Sequence, residues 1–159
     1  MLRIGLGKDI HRLVKGRPFL LAGVEIPFQK GEAGHSDGDV LAHAVIDALL
    51  GACGLGDIGE FFPPNESKWK DANSMELLAL AFEKVKAKGF SIVNLDAVVS
   101  CEEPKILPYR DQIRKALAAS LGIEHESVFV KGKTNEGLDA IGKGEAVEAL
   151  AVCLLEKRP

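Results

Sequence analysis

Four side chains in the first third of the chain have types and spacings that suit metal chemistry. Asp9 and His11 stand two positions apart, so on a β-strand their side chains point to the same face. His43 and Asp47 stand four apart in residues 40–53, an otherwise apolar segment, and therefore share one face of a helix. Because burying an unpaired polar group is costly, this pair needs partners. A core hydrogen bond between His43 and Asp47 is one interpretation, and a metal-bound imidazole oriented by a carboxylate is the other.

Asp9, His11 and His43 together make a set of one carboxylate and two imidazole ligands. Three protein ligands leave one position of a tetrahedral site open, which is typical of catalytic zinc and not of structural zinc. We therefore predict a catalytic metal site on these three residues, with Asp47 as the carboxylate that orients His43.

A second candidate cluster lies near the end of the chain, in residues 131–138. This segment ends a predicted strand and enters a glycine-containing turn, where backbone N–H groups and the Thr134 hydroxyl can hold an anion. Spacing alone favours an ordinary polar turn here. It likewise favours a simple exit from helix to loop for residues 55–63.

Strands and helices alternate along the chain and would position these groups. The hydrophobic patterns predict strands at residues 2–12, 90–101, 128–134 and 145–155, a hairpin at 19–27, and helices at 40–53, 74–88 and 108–121. Polar or glycine-rich loops are predicted at 31–39, 57–71 and 135–144. We expect an α+β fold in a single domain over residues 1–159, with a mixed β-sheet and helices packed on one face.

The composition is that of an ordinary globular protein. Of the 159 residues, 47% are hydrophobic and 27% are charged, and the net charge is −3. This balance excludes the dense basic surface of a protein that binds nucleic acid or anionic membranes, and no apolar run approaches the ~18 residues that span a bilayer.

The cysteines and the first residues indicate the compartment. Cys53, Cys101 and Cys153 lie far apart in apolar runs, which indicates reduced core thiols. No targeting segment is recognisable. We expect a cytoplasmic protein, or one in a plastid-like compartment after removal of a transit peptide.

Several stretches together resemble the 2-C-methyl-D-erythritol 2,4-cyclodiphosphate synthase family of the non-mevalonate isoprenoid pathway, over nearly the whole chain. The stretches are Gly7-x-Asp9-x-His11, residues 35–43, 47–52, 55–63 and 133–138, and Pro104-Lys105. The resemblance implies a homotrimer with active sites between neighbouring subunits. It also implies conversion of 4-diphosphocytidyl-2-C-methyl-D-erythritol 2-phosphate, a small cytidyl diphosphate, into the 2,4-cyclodiphosphate and CMP.

The same resemblance assigns the site residues. Asp9, His11 and His43 match ligands of one zinc ion per active site, and Glu136 matches a ligand of a second divalent ion, Mg2+ or Mn2+, that bridges the diphosphate. Catalytic roles are implied for Asp9, His35, Thr134 and Glu136. Substrate contacts are implied for Asp9, His11, His35, Ser36, Asp57, Ile58, Gly59, Cys101, Lys105, Ile106, Leu107, Lys133, Thr134 and Lys143.

Five positions depart from the common family pattern. Lys133 stands for Thr, Asp139 for Gly, Glu102 for Gln and Lys143 for Arg, and Lys8 replaces a residue that is often hydrophobic. By the resemblance, Lys8 and Lys143 would face the threefold axis of the trimer, where members with Arg have been linked to an isoprenoid diphosphate. A lysine can still bind phosphate as a point charge.

The implied reaction suits these residue types. A phosphate monoester has a second pKa of about 6, so it can attack the diphosphate without a general base. The ligands Asp9, His11 and His43 would hold a Lewis acid, Glu136 would hold the second ion, and Thr134 with loop amides would position a phosphate.

Three alternatives stand beside this hypothesis. A metal-dependent phosphohydrolase would use a water in the open zinc position, but the sequence offers no second carboxylate cluster beyond Glu136. A non-enzyme that binds an isoprenoid phosphate is the second, and the intact ligand set argues against it. A module that needs zinc only to fold is the third, and the large apolar core argues against that.

Overall fold

The computed structural model describes residues 1–157 and contains one five-stranded sheet. Its strands are β1 (Leu2–Lys15), β4 (Lys30–Glu32), β5 (Phe90–Ser100), β6 (Val128–Lys133) and β7 (Ala146–Lys157). They lie in the order β4-β1-β7-β5-β6, and only the β5–β6 pair is parallel. β2 (Phe19–Leu21) and β3 (Val24–Ile26) form a separate antiparallel hairpin.

Three long helices cover one face of this sheet. α1 (Val40–Ala52) packs on β1 and β7, α3 (Ser74–Ala87) packs beside α1, and α4 (Arg110–Leu121) packs against α3 and β6. α2 (Ile58–Phe61) and α5 (Asp139–Gly142) are single turns. The predicted α+β class, mixed sheet and single helical layer are confirmed. Within residues 1–157, no helix is long and apolar enough to cross a membrane.

Alternation along β1 gives the sheet two different faces. Gly5 and Gly7 are buried beneath α1, where a Cβ atom would meet the backbone of the helix. Ile4 and Leu6 point the other way and are 74% and 65% exposed. The face opposite the helices is therefore largely apolar and uncovered, and the functional side chains of β1 lie on the helical face.

Short regular elements occur in three segments that the sequence predicts as loops. β4 overlaps the predicted loop 31–39, α2 and a 3-10 turn at Ser67–Trp69 lie within 57–71, and α5 lies within 135–144. Each element is only three or four residues long, so it carries no periodic pattern that a sequence could reveal.

Candidate functional site

β1 and α1 bring the three predicted metal ligands together. Asp9 and His11 point to the same face of β1, as alternation predicts, and His43 approaches them from α1. Asp9 Oδ2 lies 3.1 Å from His11 Nε2 and 2.9 Å from His43 Nδ1. One ligand atom from each residue lies within 4.8 Å of the other two. The geometry of this cluster, which we call the triad, fits a divalent metal ion.

The remaining nitrogen of each ring in the triad is also in contact with the protein. His11 Nδ1 lies 2.6 Å from the Gly38 carbonyl oxygen. His43 Nε2 lies 2.8 Å from Ser74 Oγ and 3.1 Å from Ser36 Oγ. Contacts of this kind fix ring orientation in metal sites, so both imidazoles are held ready to ligate.

Asp47 does not orient His43, so that prediction is wrong. The carboxylate of Asp47 instead accepts a hydrogen bond of 2.8 Å from the Ile58 amide at the start of α2. The four-residue spacing places the two side chains on one side of α1, as predicted. Asp47 lies one turn further along, however, and anchors α2, while the ring of His43 meets the start of α3.

The negative charge of Asp9 and the positive charge of the histidines stabilise one another within the triad. Burial alone would raise the pKa of Asp9, but hydrogen bonds and positive charge from His11 and His43 hold it well below its usual range. Burial alone would lower the pKa of His11, but the hydrogen bond and charge of Asp9 raise it above the ordinary value. Asp9 is therefore an anion at neutral pH and is available to a cation.

The triad lines a cleft, here named the metal-site cleft. Its walls are Asp9, His11, His35, Ser36, His43, Ile58, Gly59, Phe62, Pro64, Trp69 and Leu77. The predicted substrate residues His35, Ser36, Ile58 and Gly59 thus lie beside the triad. Sequence reasoning missed the apolar wall around Trp69, although an aromatic cluster within the polar loop 57–71 was a usable signal.

A second cleft, here named the lysine cleft, lies where β5 and β6 end. It is lined by Cys101, Pro104, Lys105, Ile106, Leu107, Arg110, Gly132, Lys133 and Thr134. Six of the predicted substrate-contact residues line this cleft, namely Cys101, Lys105, Ile106, Leu107, Lys133 and Thr134, and Arg110 is an addition. The two clefts share no lining residue, so one chain holds the predicted site as two separate groups.

Besides Asp47, three predicted site residues line neither cleft. Asp57 caps α2 by accepting the Glu60 amide at 2.9 Å. Lys143 is exposed at the end of α5. Glu136 is exposed, and its carboxylate accepts a hydrogen bond of 3.3 Å from the Thr134 hydroxyl. Their assigned roles in substrate and metal binding stay predictions.

Glu102 holds the turn that carries Glu136, a role that sequence reasoning missed. Glu102 Oε1 accepts hydrogen bonds from the amides of Asn135, at 2.8 Å, and Gly137, at 3.3 Å. Glu136 lies between those amides with a φ of 53°. No local pattern links Glu102 to a turn 33 residues away, so only the fold reveals the contact.

A sequence model of the YgbB family matches residues 2–156. The chain belongs to the YgbB family. The matched range runs from β1 to β7 and so includes every element that builds the two clefts.

Named relatives and solved structures are similar over nearly the whole chain. A relative from Treponema denticola, named 2-C-methyl-D-erythritol 2,4-cyclodiphosphate synthase, is 60% identical over 154 residues, which cover 97% of this chain and 96% of the relative. The bifunctional IspDF of Campylobacter jejuni matches with a TM-score of 0.96 and 42% identity, over 99% of this chain but 43% of that longer one. IspF of Plasmodium falciparum, solved as a CDP complex, matches with a TM-score of 0.87 and 36% identity, over 99% of this chain and 97% of the other.

Proposed function

We propose that this chain converts 4-diphosphocytidyl-2-C-methyl-D-erythritol 2-phosphate into 2-C-methyl-D-erythritol 2,4-cyclodiphosphate and CMP. The observation that carries the proposal is the convergence of Asp9, His11 and His43 in one cleft of a chain 60% identical to a synthase of that name. The lysine cleft adds the cationic side chains of Lys105 and Lys133, which suit phosphate groups. A neighbour of the same fold is a complex with CDP, which supports the nucleotide end of the substrate.

The protein's task in this reaction is orientation. The attacking phosphate has a second pKa of about 6 and is largely dianionic near neutral pH, so no side chain has to remove a proton. The lysine cleft would hold one end of the flexible substrate and the metal-site cleft the other. Binding both ends so that the two phosphate groups meet can contribute roughly 7–11 kcal/mol to lowering the barrier.

The donor atoms of the triad support zinc as the resident ion. Two imidazoles and one carboxylate are typical zinc ligands, and three protein ligands leave a position free for a substrate oxygen. A zinc ion held there would neutralise charge on the phosphates and polarise the diphosphate. We assign a second divalent ion, Mg2+ or Mn2+, to Glu136, whose carboxylate is exposed on the turn beside Thr134.

Separation of the two clefts supports the trimer that the resemblance implies. Because the metal-site cleft and the lysine cleft share no residue, a neighbouring subunit can bring its lysine cleft to the triad. The open face of the sheet offers an interface, since Ile4, Leu6 and Val152 are exposed there as a contiguous apolar surface. Lys8 pairs with Glu148 on this face, at 2.8 Å.

The cysteines support the predicted cytoplasmic location. All three are free thiols, and Cys101 and Cys153 are buried. Burial raises the pKa of Cys101 to about 12 and that of Cys153 to about 11, so both stay protonated and unreactive at neutral pH. Free cysteines without disulfide bonds are typical of proteins in a reducing compartment.

Phosphorus NMR of the products tests the proposal directly. Purified protein is incubated with the proposed substrate and Mg2+, with and without Zn2+, beside a His43→Ala variant. We expect equal amounts of CMP and cyclic diphosphate from the wild type, and at least a ~100-fold lower rate from His43→Ala, because one metal ligand is lost. His125→Ala is the matched control, since His125 lines neither cleft.

Other product patterns would contradict the proposal. Inorganic phosphate without a cyclic product would indicate the phosphohydrolase instead. No turnover by folded, zinc-loaded wild-type protein would indicate a binding protein without this activity.

A further inference from the structure

A chain of polar contacts runs from the triad into the interior of the protein. His43 Nε2 lies 2.8 Å from Ser74 Oγ. The Ser74 hydroxyl in turn donates to Asp37 Oδ1, and the Ser74 amide donates to Asp37 Oδ2 at 2.9 Å. Ser74 has no solvent exposure and His43 has 8%. Water therefore has little access to the contact between His43 and Ser74, while Asp37 is half-buried.

The direction of the hydrogen bonds follows from the donor inventory. A serine hydroxyl carries one proton, and that of Ser74 goes to the Asp37 carboxylate, which only accepts. The Ser74 oxygen, which is the nearer of the two hydroxyl oxygens around His43 Nε2, is then left to accept from the ring, and this favours a proton on Nε2. Ser36 Oγ lies further from the same nitrogen, at 3.1 Å. His43 Nδ1 lies 2.9 Å from the Asp9 carboxylate and can donate a proton to it when no metal is bound. With the other proton held on Nε2, Nδ1 is the nitrogen that would give up its proton and direct a lone pair to a metal.

The metal-binding nitrogen of His11 is also fixed by a hydrogen-bond acceptor, in this case a backbone carbonyl. His11 Nδ1 lies 2.6 Å from the Gly38 carbonyl oxygen, which can only accept, so His11 Nε2 is the ligand nitrogen. A hydroxyl alone would not do this for His43, because a serine can donate as readily as it accepts. Asp37 removes that freedom from Ser74.

Capping of α3 accounts for only part of the Asp37–Ser74 pair. The N-cap of α3 is Asn73, whose side chain accepts from the amides of Met75 and Glu76, and Asp37 Oδ2 accepts from the amide of Ser74, the first residue of the helix. The hydrogen bond from the Ser74 hydroxyl to Asp37 Oδ1 satisfies no helix amide. This second bond connects Asp37 with the imidazole of His43.

We infer that Asp37 is a positioning residue that acts through Ser74 to make His43 Nδ1 the metal-binding nitrogen. The inference depends on one part of the proposed function, namely that the triad holds a divalent ion, and not on the reaction. It goes beyond the ligand set by naming the two residues, outside that set, on which the affinity of the site depends.

The test measures Zn2+ affinity by competition with a chromogenic chelator, in the full chain. Ser74→Ala removes the nearer of the two hydroxyl oxygens that contact His43 Nε2. Asp37→Asn lets the Ser74 hydroxyl donate to His43, which favours the ring proton on Nδ1. We expect each substitution to weaken Zn2+ binding by about 10- to 100-fold, as is typical for residues that orient a ligand. The double variant should bind Zn2+ no more weakly than Ser74→Ala alone, because the Ser74 hydroxyl is the contact that joins Asp37 to His43.

Two measurements distinguish this positioning role from a purely structural one. The first is unfolding of the metal-free variants by urea, which shows whether each variant is folded. The second is the non-additivity of the Zn2+ affinities, which a general loss of stability would not produce. Wild-type affinity in folded Ser74→Ala, or additive losses in the double variant, would overturn the inference. Failure of the wild type to bind Zn2+ would instead overturn the proposed function.

Discussion

Glu32 is a glutamate with no solvent exposure, close to the start of α1. Its Oε2 accepts a hydrogen bond of 2.9 Å from the Leu20 amide, and its Oε1 has no partner within residues 1–157. Burial raises the pKa of Glu32 to about 8, and the nearby charge of Asp39 adds to the effect. Asp39 also has no solvent exposure, and burial raises its pKa too, but its carboxylate accepts hydrogen bonds from three backbone amides, which favour its charged form. Glu32 is therefore the member of the pair that keeps its proton at neutral pH.

We expect Glu32 to make the protein less stable as the pH rises. Below pH 4.5 the side chain is protonated in the folded and the unfolded chain, so it causes no pH dependence of the free energy of unfolding there. From pH 4.5 to about 8 the unfolded chain loses this proton while the folded chain keeps it, so the free energy of unfolding falls. Glu32→Gln should remove this slope and raise that free energy at pH 8 by about 1–3 kcal/mol.

Urea unfolding of metal-free protein at pH 5, 6.5 and 8 measures the effect, at one protein concentration. Glu25→Gln is the matched control, since Glu25 is exposed on β3. Parallel pH profiles for wild type and Glu32→Gln would show that Glu32 is ionised in the folded protein.

The packing of β1 against α1 sets the distance between His43 and the two ligands on β1. A Cβ atom on Gly5 would lie 1.8 Å from the Ala48 carbonyl oxygen, and one on Gly7 would lie 1.8 Å from that of Ala44. Strand and helix are thus in direct backbone contact just before Asp9. Any larger residue must push α1 outward, and His43 would move with it.

Gly7→Ala should therefore weaken both folding and metal binding. Overpacking of this kind costs about 1–3 kcal/mol or more, since backbone and not a side-chain end must move. We expect a lower melting temperature and weaker Zn2+ affinity. Gly51→Ala, in the last turn of α1 with no neighbour within 4 Å of the added atom, should leave affinity unchanged and melting equal or higher. Wild-type Zn2+ affinity in Gly7→Ala would show that the strand–helix contact does not determine the triad.

Sequence patterns predict what depends on local periodicity and fail where a contact is remote. Alternation on β1 correctly pairs Asp9 with His11, and the apolar helix around His43 predicts its burial. The four-residue spacing of His43 and Asp47 cannot reveal that a different element supplies the partner, because Ser74 lies 31 residues further along the chain. The contact of Glu102 with the turn at residues 135–137 could not be predicted for the same reason.

Exposure of apolar residues on one side of the sheet is a property of the whole molecule. Ile4 and Leu6 on β1 pair with Leu154 and Val152 on β7, so their side chains form one surface. Leu6 and Val152 are 65% and 43% exposed. A single chain in water would leave this surface exposed, whereas the proposed trimer, if built on it, would bury the surface.

We expect wild-type protein to have the mass of a trimer by sedimentation and Leu6→Glu to be a monomer, since the interface would have to bury an unpaired carboxylate. Leu80→Glu is the matched control, because Leu80 is a 48% exposed leucine on α3, on the helical side.

Monomeric Leu6→Glu should keep its Zn2+ affinity, because one chain supplies the whole triad. It should lose cyclic diphosphate formation by at least about 100-fold, because the two ends of the substrate would no longer be oriented together. Full activity in a monomeric variant would mean that one chain's two clefts suffice, and a trimeric Leu6→Glu would mean that the subunits associate through another surface.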